Sequence, residues 1–233
     1  MADLPFKTAL IIGAGAGISA ALARKLSAAG LGVALAARDI GKLAPLAAET
    51  GAHTFAANAA EPAAMAALFA AVDAAIGPPD VVIYNASARL RGELATLDPA
   101  AVHHAIDVTA FGAFLAVQQA AIRMLRHRHG AILLTGASAG IKGFPLSAPF
   151  AMGKFALRGL AQSAARELGP QGIHVAHVII DGGVRSESRP VPPDRPDSLL
   201  DPVSIAQTYC DVLAQTRDAW SMEVELRPWT ESF

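Results

Sequence analysis

Gly13, Gly15 and Gly17 stand at alternate positions between an apolar run, Thr8-Ala9-Leu10-Ile11-Ile12, and an alanine- and leucine-rich stretch of helical period, Ala20 to Ala29. A strand that breaks through glycines into a helix aims backbone N–H groups and a helix N-terminus at one spot, where a phosphate can sit. Glycine suits that turn because a side chain would hold a pyrophosphate away from the backbone. A plain strand-to-helix turn uses similar residues, but here the flanking strand and helix supply the context a nucleotide site requires. Other residues able to do chemistry are less telling. His103 and Asp107 are spaced i, i+4, and His127 and His129 sit near a helix end. Nothing at metal-site spacing completes either set, so no metal is expected and exposed helix surface is the reading. His174 and His177 read as structural histidines, and Arg123, Arg126 and Arg128 as a solvated helix end.

The elements that must position such a turn follow in regular alternation. Strands are expected at Gly32–Ala37, Ala52–Ala56, Asp80–Tyr84, Ala131–Leu134, Ile173–Ile180 and Met222–Leu226. Helices are expected from about Asp39 to Glu49, from Glu61-Pro62 to Gly77, from Asp98-Pro99 to about His127, from Pro149 to about Leu168, and from Val203 to Ala214. Thr109 and Gly112 predict a kink in the third of these helices. Alternating strands and helices imply a parallel sheet covered on both faces, with ligands at the carboxyl ends of its strands. The expectation is an α/β fold: one doubly wound Rossmann-type domain, 1–233, with about seven parallel strands and a Pro/Ser-rich surface loop or lid at about 185–202.

Composition agrees. The 233 residues are 53% hydrophobic and 17% charged, enough to bury a sizeable core, and the net charge of −1 gives no footprint for nucleic acid. The start, Met1 to Lys7, reads as the approach to a strand and not as a signal peptide, and no apolar stretch reaches membrane-spanning length without polar interruption. The single Cys210 fits a reducing, cytoplasmic setting and reads as a small buried residue.

With these motifs in order, the sequence resembles the short-chain dehydrogenase/reductase family over nearly its full length. The family's Thr-Gly-x-x-x-Gly-Ile-Gly is matched by Ile12-Gly13-Ala14-Gly15-Ala16-Gly17-Ile18-Ser19, with Ile12 and Ser19 departing. Tyr84-Asn85-Ala86-Ser87 is similar to its Asn-Asn-Ala-Gly. Ile106-Asp107-Val108, Gly140 and Asp201-Pro202 before a helix also match. The resemblance implies an oxidoreductase with a small carbonyl or alcohol substrate, commonly a homodimer or homotetramer. Phe111, Phe114, Val117 and Ala121 exceed what one sheet face should cover, which points the same way. It implies cofactor contacts at Gly13, Ala16, Gly17, Ile18, Asn58, Ala59, Asn85 and Ala86, and more weakly at Ser186, in place of a threonine that often meets the carboxamide. Arg38 follows the second strand, where an acid suits a ribose 2′-hydroxyl and an arginine a 2′-phosphate. NADP(H) is therefore the preferred cofactor. Asp39 keeps NAD(H) possible, although helix capping is its simpler role.

The family's catalytic Asn, Ser, Tyr and Lys stand here as Thr109, Ala137, Phe150 and Lys154. The family's tyrosine protonates the substrate oxygen, and the lysine four residues on shares its helix face and lowers its pKa. Phenylalanine keeps the ring and deletes the donor, a loss typically costing about a hundred- to ten-thousand-fold in rate. The candidate substitutes are Ser138, beside the vacant serine position, and Lys154 itself, which otherwise keeps a ribose-binding role. Ser147 is expected to be an N-cap. The reading is a departed mechanism, or a catalytically silent cofactor-binding protein that senses nucleotide or supports a partner.

Overall fold

The computed structural model describes residues 4–231; Met1–Asp3 of the expected lead-in segment lie outside them. Seven parallel strands form one sheet: β1 (Thr8–Ile12), β2 (Gly32–Ala37), β3 (His53–Ala56), β4 (Val81–Tyr84), β5 (Gly130–Thr135), β6 (Ile173–Ile180) and β7 (Glu223–Leu226). Their order is β3-β2-β1-β4-β5-β6-β7. The helices are α1 (Ile18–Ala28), α2 (Ala44–Thr50), α3 (Pro62–Ile76), α4 (Pro99–Ile106), α5 (Gly112–Met124), α6 (Ala148–Leu168) and α7 (Pro202–Leu213).

Successive strand residues point to opposite faces, so each strand feeds two cores. Ala9 and Ile11 of β1 pack with Leu22 and Leu26 of α1 and with Ile205 and Tyr209 of α7. Leu10 and Ile12 pack on the other face with Met65 and Phe69 of α3, Ala116 and Ala120 of α5, and Leu157 of α6. That double burial is why β1, β4, β5 and β6 are near-continuous apolar runs. The strand order turns back between β1 and β4, and this switch point places a crevice at their carboxyl ends.

The expected helix from Pro99 to His127 is three pieces ending at Met124. Asp107–Phe111 between α4 and α5 is π-helical, which gives the expected kink a definite form. The wider turn leaves the Val108 carbonyl to accept the Tyr84 hydroxyl, while Thr109 Oγ1 accepts the Ala88 N–H at 3.1 Å. Gly112 lets this segment close on the sheet, since a β-carbon there would sit 2.6 Å from the Ala59 carbonyl oxygen. The span Pro99–Met124 reaches membrane-crossing length and apolarity, with the polar interruptions His103, His104, Asp107, Gln118 and Gln119. Here its Ala113, Ala116 and Ala120 lie buried against the sheet. Arg123 is also not a solvated residue: it pairs with Asp73 at 2.7 Å and lies over the Phe69 ring.

Candidate functional site

The glycine turn leaves β1 at Gly13, whose φ of 83° is in the left-handed region. A β-carbon on Gly13 would stand 2.5 Å from the Ala86 Cα, so only glycine lets β1 and the segment after β4 approach this closely. Gly15 and Gly17 show the reverse: a β-carbon on either would meet nothing within 4 Å. Their faces are open to a cleft. Ser19 departs from the family's glycine but has a use, because its hydroxyl donates to the Gly13 carbonyl at 3.1 Å and accepts from Asn85 Nδ2 at 2.8 Å. That pair of bonds fixes the turn before any ligand arrives.

The cleft in front of the turn holds about 720 Å³. Gly13, Ala16, Arg38, Asn58, Ala59, Asn85 and Ala86 all line it. Gly17, Ile18 and Ser186 meet in an adjoining recess that shares Gly13, Gly15 and Asn85 with the main cleft. Arg38 is exposed, and neither a carboxylate nor a carbonyl holds it among the described residues. Asp39 is occupied, accepting the Gly41 N–H at 3.1 Å and facing Lys42 at 3.4 Å, which fits the capping role expected of it. Lys42 is a second cation in the cleft beside Arg38 that sequence reasoning passed over. Its place four residues after Arg38, in the turn that starts the next helical segment, was the available signal.

Lys154 behaves differently from the rest. It is only 3% exposed and lines neither the main cleft nor its neighbours. Its ammonium donates to the Thr135 carbonyl at 2.6 Å and lies 5.7 Å from the centre of the Phe150 ring. Burial lowers its pKa to about 8. Thr135 in turn bonds through its hydroxyl to Tyr209 at 2.8 Å, so α7 braces the strand end that holds the lysine.

A second cleft, about 530 Å³, is lined in part by Phe150 and shares Arg89 with the first. Both Ala137 and Ser138 line it, because β5 ends at Thr135 and the chain turns into a short 3₁₀ segment, Ser138–Gly140, where strand alternation no longer applies. Ser147 corrects an expectation. It stands at the N-cap position of α6 but its side chain makes no capping bond, since its backbone (φ −129°, ψ 22°) does not present the hydroxyl to the first-turn N–H groups. It lines the second cleft instead. His177 Nδ1 and Glu223 bond at 3.0 Å and Glu223 pairs with Arg158, while His177 Nε2 is buried without a hydrogen-bond partner among the described residues, so the histidine is only half satisfied. His103 Nδ1 lies 2.9 Å from Asp107 Oδ2.

The short chain dehydrogenase family model matches residues 7–190. A 2,5-dichloro-2,5-cyclohexadiene-1,4-diol dehydrogenase of Sphingobium indicum is 33% identical over 190 residues, 80% of this chain and 76% of that one. A Xanthobacter autotrophicus protein named inactive 2-(S)-hydroxypropyl-CoM dehydrogenase 2 is 35% identical over 167 residues, 71% of this chain and 72% of that one. A metagenomic short-chain oxidoreductase solved in complex with NADP superposes with a TM-score of 0.85 at 31% identity, covering 97% of this chain and 99% of the other.

The buried lysine has a measurable signature. Unfolding returns it from about 8 to its ordinary value of 10.5, so between those pH values the unfolded chain binds more protons. This group therefore makes stability rise with pH across that window, and contributes no slope below it. Lys154→Met is expected to remove that rise in urea-unfolding free energy relative to wild type. Identical slopes for the two proteins would show that the ammonium is not desolvated.

Proposed function

The chain belongs to the short-chain dehydrogenase/reductase family, and on that premise we propose that it is a cytoplasmic, NADP(H)-dependent oxidoreductase of a small carbonyl or alcohol, built as one dinucleotide-binding domain. The observation that carries this reading is the cleft in which open glycine faces and two cations, Arg38 and Lys42, are set beside the carboxyl ends of β1 and β2. The glycine turn would take the pyrophosphate on its N–H groups, and Arg38 with Lys42 the 2′-phosphate. Asn58 and Ala59 would border the adenine, and Asn85, Ala86 and Ser186 the nicotinamide half. NAD(H) would leave Arg38 unanswered, since only Lys42 has a carboxylate, Asp39, beside it.

When bound, the nicotinamide supplies hydride exchange at the substrate carbon. The protein's own tasks are to orient that substrate, to exclude water and to move a proton at the substrate oxygen. Phe150 has no proton to give. We assign that work to Ser138 on the cleft wall, with Lys154, which lines neither cleft, contributing its buried positive charge behind the site. A second reading, a silent cofactor-binding protein, is favoured by the same phenylalanine and by the word inactive in the name of the Xanthobacter relative.

NADPH is expected to bind more tightly than NADH. Arg38→Ala is expected to erase most of the difference, as charge-assisted hydrogen bonds contribute about 1.5–3 kcal/mol. Nucleotide-fluorescence titration decides it, and equal wild-type affinities would overturn the cofactor assignment.

The double substitution Phe150→Tyr, Ala137→Ser separates the two functional readings. If the family's geometry is retained, NADPH-dependent reduction of simple ketones is expected to rise, by up to about a hundred- to ten-thousand-fold. A brisk wild-type turnover that the double substitution slows would instead establish a native proton route. No turnover before or after, with NADPH bound and the fold intact, would favour the silent reading.

A homodimer or homotetramer completes the proposal. Phe111 and Phe114 are 41% and 43% exposed and stack with centroids 6.1 Å apart, while Met152 and Phe155 on α6 are also exposed. Val117 does not belong to this face, being 6% exposed and packed in the core. Large apolar side chains grouped on one face mark a contact surface. Phe114→Glu is expected to shift the sedimenting species toward monomer; a monomeric wild type at micromolar concentration would remove the inference.

A further inference from the structure

The second cleft is strongly basic in a chain whose net charge is −1. Arg89 and Arg91 reach it from the segment after β4, Lys142 from the turn after β5, and Arg189 from the segment after β6. Three separate connections at the carboxyl end of the sheet thus deliver cations to one space. None of the four is paired with a carboxylate among the described residues, whereas Arg24, Arg123, Arg158, Arg185 and Arg227 all are. Two of the four are placed by aromatic faces: Arg89 stands 5.0 Å over the Phe150 ring and Lys142 5.6 Å over the Phe144 ring. Of the cleft's two carboxylates, Asp181 is neutralised by Arg227 at 2.8 Å, which leaves Glu231 to face four positive groups. The hydroxyls of Ser138 and Ser147 line the same space and make no side-chain hydrogen bond among the described residues.

We propose that this cleft takes a substrate that carries a carboxylate, an oxo acid or hydroxy acid, with the anion among Arg91, Lys142 and Arg189 and the carbonyl or carbinol end toward Ser138 and Phe150. The inference deepens the oxidoreductase reading above and rests on it for the identity of the reacting end. Guanidinium groups match carboxylates in two-point geometry, and such charge-assisted bonds are about twice as strong as neutral ones. A neutral ketone entering this space would make no use of the four cations, which are exposed and free to meet a charged group. The arrangement therefore selects for charge as well as size. Arg89 also lines the cofactor cleft, so its charge serves both spaces and it is the wrong residue for a test.

The test compares para-acetylbenzoate with its methyl ester, which keeps the ring and the ketone and removes the charge. Binding to the NADPH-loaded protein is followed by calorimetry and by ligand-observed NMR. The acid is expected to bind at least about tenfold more tightly, a difference of about 1.4 kcal/mol. That preference is expected to shrink as salt is raised. It is also expected to fall close to unity in Arg91→Gln, Lys142→Gln, while the ester's affinity stays unchanged. Both side chains are exposed, and circular dichroism checks that the variant is folded. Equal binding of acid and ester, or a preference that survives the double substitution, would overturn the proposal. NADPH affinity measured on the same samples keeps the two readings apart. Tight NADPH binding with no acid preference sinks only the carboxylate site. An acid preference in a protein that does not bind NADPH would support the anion site and sink the redox reading.

Discussion

A lysine ammonium buried to 3% exposure without a carboxylate beside it is costly unless something else answers its charge. Here the Thr135 carbonyl does so, aided by the face of Phe150 and held by the Tyr209 hydroxyl behind it. That one bond fixes the start of α6 to the end of β5, and much of the surrounding structure is shaped to allow it. Gly140 lets the 3₁₀ turn run against the Lys154 backbone, where a β-carbon would lie 3.0 Å from the Lys154 carbonyl oxygen. Gly153 admits Thr109 of the π-helical turn, at a distance of 2.8 Å between β-carbons if it had one. The joint of α6, β5 and the π segment is therefore closely packed, with Phe150 where it meets the second cleft.

The two clefts differ in kind. On the nucleotide side the groups around the glycine turn are already bonded within the chain, Arg38 apart: Ser19 bridges Gly13 and Asn85, Asp39 holds Gly41, and Asn58 accepts the Ala60 N–H at 3.2 Å. Such a site is organised in advance, so a ligand need not order it on binding. On the other side the residues that face the space are cations and hydroxyls with their bonding capacity unused. Their segments after β5 and β6 carry little regular structure, and contacts such as Ser186 N–H to the Arg189 carbonyl at 3.0 Å are local. One half of the molecule is fixed in shape and the other is supplied with charge.

The sequence was most legible where burial leaves little choice. β2 and β6 have the limits expected of them because strands covered on both faces are largely apolar runs, β2 opening on Gly32 and β6 following Gly172. Phe150 and Lys154 stand out through the resemblance to the family's Tyr-x-x-x-Lys, and the glycine turn through its context. What escaped was set by contacts distant in sequence. Nothing local in Asp107–Phe111 shows that Tyr84 and Ala88 will claim the Val108 carbonyl and the Thr109 hydroxyl and so widen the turn. Ser147 has the right residue type for a cap and the wrong backbone angles. Arg89, Arg91, Lys142 and Arg189 are scattered over a hundred residues and become a group only when the sheet brings three connections to one edge.

The strand order also bears on how the chain is made. Five of the six pairings in β3-β2-β1-β4-β5-β6-β7 join strands that are consecutive in sequence, so each closes a single strand–helix–strand unit. The exception is β1 with β4, which must wait until residue 84 has been synthesised. Until then the N-terminal half presents β1 with one edge unpaired. Leu10, Ile11 and Ile12, which are almost fully buried in the finished protein, are then the kind of apolar strand to which other chains can add. Docking of β4 turns that edge into the middle of the sheet. From then on the growing edge is the strand made last, and it ends at β7, whose Glu223 and Glu225 put charge on the final border.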